Sequence, residues 1–276
     1  MSSASQSDVG KPPSSVILVG LGLMVASVCS MCGVGGGVFA VPILHYLYGV
    51  PLKRAVATVL CLVWCVAVSS TASEALHQGN ALNLGVVAAL VGGVLVGTRL
   101  GFELAKRLPV LRLKFIFCIL FAVMGLRLAV GGAPGPELSV TGEFELALSQ
   151  VWVVVVIGAG AGVLVPILGI GGGLVMVPAL DMALPGLGFL GARAASLATA
   201  IVGSSRSLLL YRKGGLVDWR VGGWFGLGAA LGSVLGVQAV HVEGATELGR
   251  TGLGIILLCA SLRFGFDCWR ARNAQA

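Results

Sequence analysis

Charge is scarce in this chain of 276 residues: 11% are Asp, Glu, Lys or Arg, against 57% apolar. Soluble domains run nearer ~25% charged, so the composition excludes a protein whose whole surface faces water. The mean hydropathy of +1.00 agrees, and makes lipid the solvent for most of the surface. No series of short segments alternates apolar with polar residues, which argues against strands. Several apolar stretches approach or exceed the ~20 residues a helix needs to cross ~30 Å of hydrocarbon. Backbone pairing in lipid then dictates helices, giving an all-α integral membrane protein.

Catalytic and cofactor motifs are missing as well. A dinucleotide fingerprint GxGxxG fails at Val38 and Leu174, and no GxxxxGK, HExxH or serine-elbow string is present. His45, His77 and His241 are scattered and suggest no metal. No cofactor is expected, nor an enzymatic activity, and ATP is no evident energy source within this chain. The seven cysteines, Cys29, Cys32, Cys61, Cys65, Cys118, Cys259 and Cys268, fall inside or beside apolar segments, which excludes a secreted disulfide framework. Most read as small packing residues; a thiol relay through the CxxC of Cys29 and Cys32 has no counterpart later in the chain. The net charge of +7 does not indicate nucleic acid, because the basic residues sit in short loops, where they set orientation and favour anionic lipid heads.

What is present is a duplication. The segment GVGGGVFAVPIL, Gly33 to Leu44, returns 136 residues later as GIGGGLVMVPAL, Gly169 to Leu180. Glycine breaks at matching places in two hydrophobic halves point to a midplane binding site in a transporter. Apolar blocks fall at about 16–48, 55–76, 84–104, 115–131, 151–182, 194–211, 221–240 and 251–266, with ends uncertain by ~4 residues. The resulting organisation is a polar N-terminus at 1–15, a first membrane repeat at 16–131, a linker at 132–150, a second repeat at 151–266 and a tail at 267–276. The stretch after Lys11 also has the look of a signal peptide, but the second copy keeps its equivalent lead-in, Val151 to Leu168, which argues against cleavage.

Basic clusters at Lys106, Arg107, Arg112 and Lys114, at Arg212, Lys213 and Arg220, and at Arg270 and Arg272 should be cytoplasmic. The 132–150 linker, with Glu137, Glu143 and Glu145, the 77–83 linker, and 241–250, with only Arg250, should face out. Counting crossings makes 151–182 enter and leave on one face; Lys11, Lys53 and Arg54 do the same for 16–48. Each half is then a re-entrant, Gly-broken hairpin plus three transmembrane helices. Because three is odd, the second half is inverted relative to the first and both termini are cytoplasmic. Arms of about 15 and 11 residues, roughly 23 and 17 Å, suit hairpins. The alternative is one long kinked helix in each case. Arg193, read as a linker charge, is the one residue against this topology.

Gly33, Gly35, Gly36 and Gly37, like Gly169, Gly171, Gly172 and Gly173, permit positive φ and leave backbone N–H groups uncovered. A helix restarting after them presents its positive end at membrane depth, a natural place for an anion. Gly93, Gly97 and Gly101, and Gly228, Gly232 and Gly236, read instead as close helix packing. Ser69 and Ser70 in one half and Ser204 and Ser205 in the other put hydroxyls at matching depth. Arg206 lies within its span and should face a cavity, a partner or a bound anion, unless it snorkels to the cytoplasmic face. Glu74 and Asp181, near span ends, could carry a coupling proton; solvated helix-end carboxylates are the commoner case. Arg99 and Arg127 read as interfacial.

The two GxGGG segments ending in Val-Pro, with Gly79 and Gly215 after the second span of each half, resemble the TauE/SafE sulfite exporter family over nearly the whole chain. The resemblance implies a multi-pass transporter of sulfite, sulfonates or other small sulfur-containing anions in a bacterial cytoplasmic membrane. It singles out the glycine segments with Pro42 and Pro178; Arg206 and the serines come from the residues themselves. The expected partners are thus a small anionic substrate, the bilayer, and protons or another coupling ion. A passive anion channel and a non-transporting membrane scaffold are the competing functions.

Overall fold

The computed structural model describes residues 14–76, 82–130, 146–240, 255 and 258–270. The expected outward linker with Glu137, Glu143 and Glu145, most of the 77–83 linker, Arg250, the ends of the chain and the Arg127 side chain lie outside them.

Every regular element among the described residues is helical. In order these are α1 (Ser15–Met31), α2 (Gly37–Pro42), α3 (Leu52–Ala75), α4 (Leu84–Arg107), α5 (Val110–Val130), α6 (Leu148–Leu168), α7 (Gly173–Ala183), α8 (Gly188–Arg212) and α9 (Trp219–Val240). A last helix, α10, covers 258–270. Polar caps set several starts: the Ser14 hydroxyl accepts from the Ile17 amide at 3.5 Å, and the Asn83 side chain accepts from the Val86 amide at 3.1 Å. Five helical stretches are long and apolar enough to cross a membrane: Leu52–Ala75, Leu84–Arg107, Leu148–Leu168, Pro185–Arg212 and Trp219–Ala239.

Both long apolar blocks containing the glycine repeats are broken there. In the first, α1 stops at Met31 and α2 restarts at Gly37; in the second, α6 stops at Leu168 and α7 restarts at Gly173. Pro42 strips an amide from α2, and the chain widens into a π-type turn, Ile43–Leu47, whereas α7 runs past Pro178 to Ala183. The restarted arms have the expected length of 11 residues, Gly37–Leu47 and Gly173–Ala183. The arm before the second break is longer than expected: α6 has 21 residues, with Leu148, Ser149 and Gln150 adding a turn that the Gln150 side chain caps from the Ala147 amide.

The packing exchanges partners between the halves. α4 lies along α6, and α9 lies along α1. The glycine stripes make both contacts: a Cβ on Gly93, Gly97 or Gly101 would land on the carbonyls of Val155, Ala159 or Val163. On the other side, Gly228, Gly232 and Gly236 do the same against Val19, Leu23 and Ser27. Lipid offers no hydrophobic drive between helices, so backbone-to-backbone approach through small residues supplies the dispersion contact. α3 and α8 pack on each other in the middle, with α4 and α9 flanking them. α5 and α10 join through Lys114 and Asp267 at 2.8 Å and through Phe117 stacked on Phe264.

Candidate functional site at the crossing of the two glycine breaks

The two breaks lie against each other, backbone on backbone. A Cβ on Gly37 would collide with the Gly169 carbonyl, and one on Gly173 with the Gly33 carbonyl. One on Gly35 would come within 3.3 Å of the Ile170 oxygen. Gly33 and Gly36 in the first break, and Gly169, Gly171 and Gly172 in the second, hold positive φ between 71° and 84°. Gly36 and Gly172 are the residues that immediately precede α2 and α7, so the left-handed step there turns the chain into the new helix. The opening amides of a restarted helix lack acceptors one turn back in that helix and carry a partial positive charge. Val63 of α3 and Ala200 of α8 close in on Gly171 from either side.

Carbonyls beside each break also take side-chain donors, and the two breaks do so differently; the Ser30 carbonyl already accepts from the Gly33 amide at 3.2 Å. In the first, the Arg193 Nη1 donates to the Ser30 carbonyl at 3.3 Å and Ser196 Oγ donates to the Gly33 carbonyl at 3.4 Å. The Arg193 Nη2 pairs with Glu74 Oε2, and both side chains are almost fully buried, at 0% and 2% exposure. Arg193 Nε has no partner. In the second, the Tyr211 hydroxyl donates to the Pro166 carbonyl at 2.6 Å while its ring packs edge-on against Phe102.

Two sequence expectations are therefore corrected. Glu74 is not a solvated helix-end carboxylate: it is buried, and Arg193 of α8 supplies its cation. Arg193 is no linker charge: α8 begins at Gly188, ahead of the expected block, and places Arg193 inside the helix and the protein. It therefore drops out of the loop-charge count that it opposed. Asp181 is exposed, as read.

The remaining candidates scatter. Ser204 and Ser205 donate to the carbonyls of Ala200 and Ile201 in their own helix, at 2.6 and 2.7 Å. Ser69 does likewise to Cys65 and also meets Ser233 of α9 at 2.5 Å. The Ser70 hydroxyl is buried without a partner. Arg206 is half-buried, its Nε unpartnered, and no carboxylate among the described residues pairs with it. No polar contact among the described residues joins Arg206 to the glycine breaks. The cysteines form no disulfide. A separate cleft of about 310 Å³ opens between the start of α3 and the α8–α9 connection, lined by Arg54, Thr58, Asp218 and Trp219. Between Arg54 and Thr58 sits Val56, whose backbone the second break packs on at Gly169.

Exchanged glycine-striped helices around two central breaks, with five helices fit to cross a membrane, define a multi-pass membrane transporter. A family model described as Sulfite exporter TauE/SafE matches residues 2–128 and 154–276, and the chain belongs to that family. Two relatives from Xylella fastidiosa, strains 9a5c and Temecula1 / ATCC 700964, are each called "Probable membrane transporter protein". Each is 27% identical over 261 residues, covering 93% of this chain and 95% of the relative. No solved structure matches.

Proposed function

We propose that the chain is a secondary transporter carrying a small sulfur-containing anion, a sulfite- or sulfonate-like oxyanion, across the cell membrane. The anion is held where the glycine breaks meet, at Gly33, Gly35, Gly36, Gly37, Gly169, Gly171, Gly172 and Gly173. The observation that carries this reading is the reciprocal seating of Gly37 on Gly169 and of Gly173 on Gly33, which aims two helix starts at one region. Pro42 and Pro178 fix the restarted arms, and Ser70 has a hydroxyl to offer. Ser69, Ser204, Ser205 and Arg206 stay in the proposal as groups that a rearranged state would turn inward. In this reading 16–48 and 151–182 are re-entrant hairpins, the halves are inverted repeats with both termini cytoplasmic, and one half rocks against the other.

Thermal unfolding of the detergent-purified protein with sulfite, sulfate, thiosulfate, taurine, sulfoacetate, acetate and chloride tests this. A selective ligand at a hundred times its Kd stabilises by about 2.7 kcal/mol. A shift confined to sulfur anions, and lost in Gly36→Leu, is the expected result; equal indifference to all seven would sink it. A passive channel is separated in liposomes, where it cannot accumulate anion beyond the anion's own electrochemical gradient.

A further inference from the structure

A fully buried guanidinium beside a transporter's helix break needs a reason, because an ion pair taken out of water and lipid headgroups is a poor source of stability. Arg193 touches the first break at two points and α3 at a third: it donates to Ser30, its aliphatic stem packs on Gly33, and its Nη2 holds Glu74. Its Nε has no acceptor, so the donor fork is only partly used. The other ionisable group that bears on the guanidinium is the thiol of Cys32, the residue just after α1, with Cys29 behind it. No second carboxylate, lysine or histidine among the described residues lies within ion-pair distance.

We propose that Arg193 is the anion's docking group and Glu74 its proton-carrying counterpart, so that anion and proton cross together. This rests on the transporter reading above. The resting site, Arg193 cation with Glu74 anion, has zero net charge. An incoming oxyanion takes the guanidinium, which offers it the same forked geometry as a carboxylate. Glu74 is then stripped of its cation in a place where an unpaired charge is prohibitively costly, so it takes one proton from the side that is open. The loaded site, cation, anion and neutral acid, again sums to zero. Release reverses each step: the anion leaves, the proton leaves, and the pair closes. Charge neutrality thus couples one proton to each singly charged anion carried, with no other ion required.

The test is the pH dependence of anion binding to the purified full-length chain, read by thermal stabilisation with sulfite, sulfoacetate and ethanesulfonate from about pH 6 to 8. Uptake of one proton on binding weakens wild-type affinity tenfold for each pH unit gained, relative to Glu74→Gln, which has no proton to take. Comparison with E74Q also cancels the titration of sulfite itself. E74Q should bind anion more tightly than wild type, because no carboxylate must be displaced, while Cys32→Ser should keep the wild-type slope. Identical slopes in wild type and E74Q overturn the coupling and leave the transporter standing. No stabilisation of wild type by any of the three anions overturns the docking assignment, and indifference extending to all seven anions of the earlier panel overturns the transporter reading as well. Should E74Q fail to fold, Arg193→Gln/Glu74→Gln keeps the shape without either charge; it should fold and show no anion response, and a wild-type response from it overturns the assignment.

Discussion

The two glycine breaks are copies in sequence and solve one problem in two ways. Near the end of the helix before each break, a side chain of α8 donates to a carbonyl, Ser30 in one and Pro166 in the other. Each packs its first glycine on the start of a central helix, Gly33 on Arg193 of α8 and Gly169 on Val56 of α3. At Pro166 a neutral phenol serves the carbonyl from the end of α8. At Ser30 a guanidinium serves it from the start of α8, and that guanidinium requires Glu74 from the end of α3. The neutral answer meets the hydrogen-bonding need with one donor. The Ser30 carbonyl already accepts from the Gly33 amide at 3.2 Å, so the two desolvated charges brought to it exceed what hydrogen bonding requires, and the first break carries something beyond structure.

Both breaks share the crossing itself, and its loss should have the largest effect. Gly37→Ala or Gly173→Ala puts a methyl into a backbone carbonyl that no side-chain rotation can relieve. Each should cost about 4 kcal/mol or prevent folding, seen as loss of monodisperse protein or a collapsed unfolding temperature in detergent. Equal damage from the two confirms that the halves are interchangeable here; tolerance of either one refutes the reciprocal seating.

The ion pair should come next. Arg193→Ala leaves Glu74 buried and uncompensated and should cost about 3–5 kcal/mol, whereas removing both charges with Arg193→Gln/Glu74→Gln should cost far less. Unfolding of the two single variants and the double closes a cycle, and additivity within it would show that the charges do not depend on each other.

The parts of this comparison visible in sequence were those written in backbone chemistry. Three consecutive glycines inside an apolar run, twice, mark a helix break because few other residues accept the required φ. Small residues spaced by four mark close helix contacts, and the stripes at Gly93 and Gly228 lie where that spacing says. Arg193, Glu74 and Tyr211 were not legible, because a charge or a phenol near a span end ordinarily reads as solvated. Only tertiary packing, joining Glu74 to a residue 119 positions away, turns that end into an interior. The one signal available was Arg193 itself, the charge that opposed the topology. The serines misled for a local reason: a hydroxyl four residues after a helical carbonyl finds its acceptor at home, as Ser204 and Ser205 do.

Tyr211→Phe isolates the neutral answer. It keeps the ring against Phe102 and strands the Pro166 carbonyl, which should cost about 1–2 kcal/mol, well below Arg193→Ala. A larger loss than that of Arg193→Ala would reverse the ranking and make the phenol, not the ion pair, the critical lock.

The smallest effect separates the glycines at the centres of the breaks. A methyl on either Gly35 or Gly171 meets the same Val63 Cγ1, at 3.0 and 2.7 Å, and one on Gly35 also meets the Ile170 oxygen at 3.3 Å, so both positions are crowded. The backbones differ: Gly171 has φ +78°, while Gly35 is not among the residues with positive φ. Gly171→Ala should therefore cost about 1 kcal/mol more than Gly35→Ala, the penalty of forcing an L-residue into the left-handed region. Unfolding midpoints of the two variants, measured side by side, give that difference directly. If they coincide, Val63 rather than the backbone governs both positions, and the two breaks are more alike at their centres than their dihedral angles indicate.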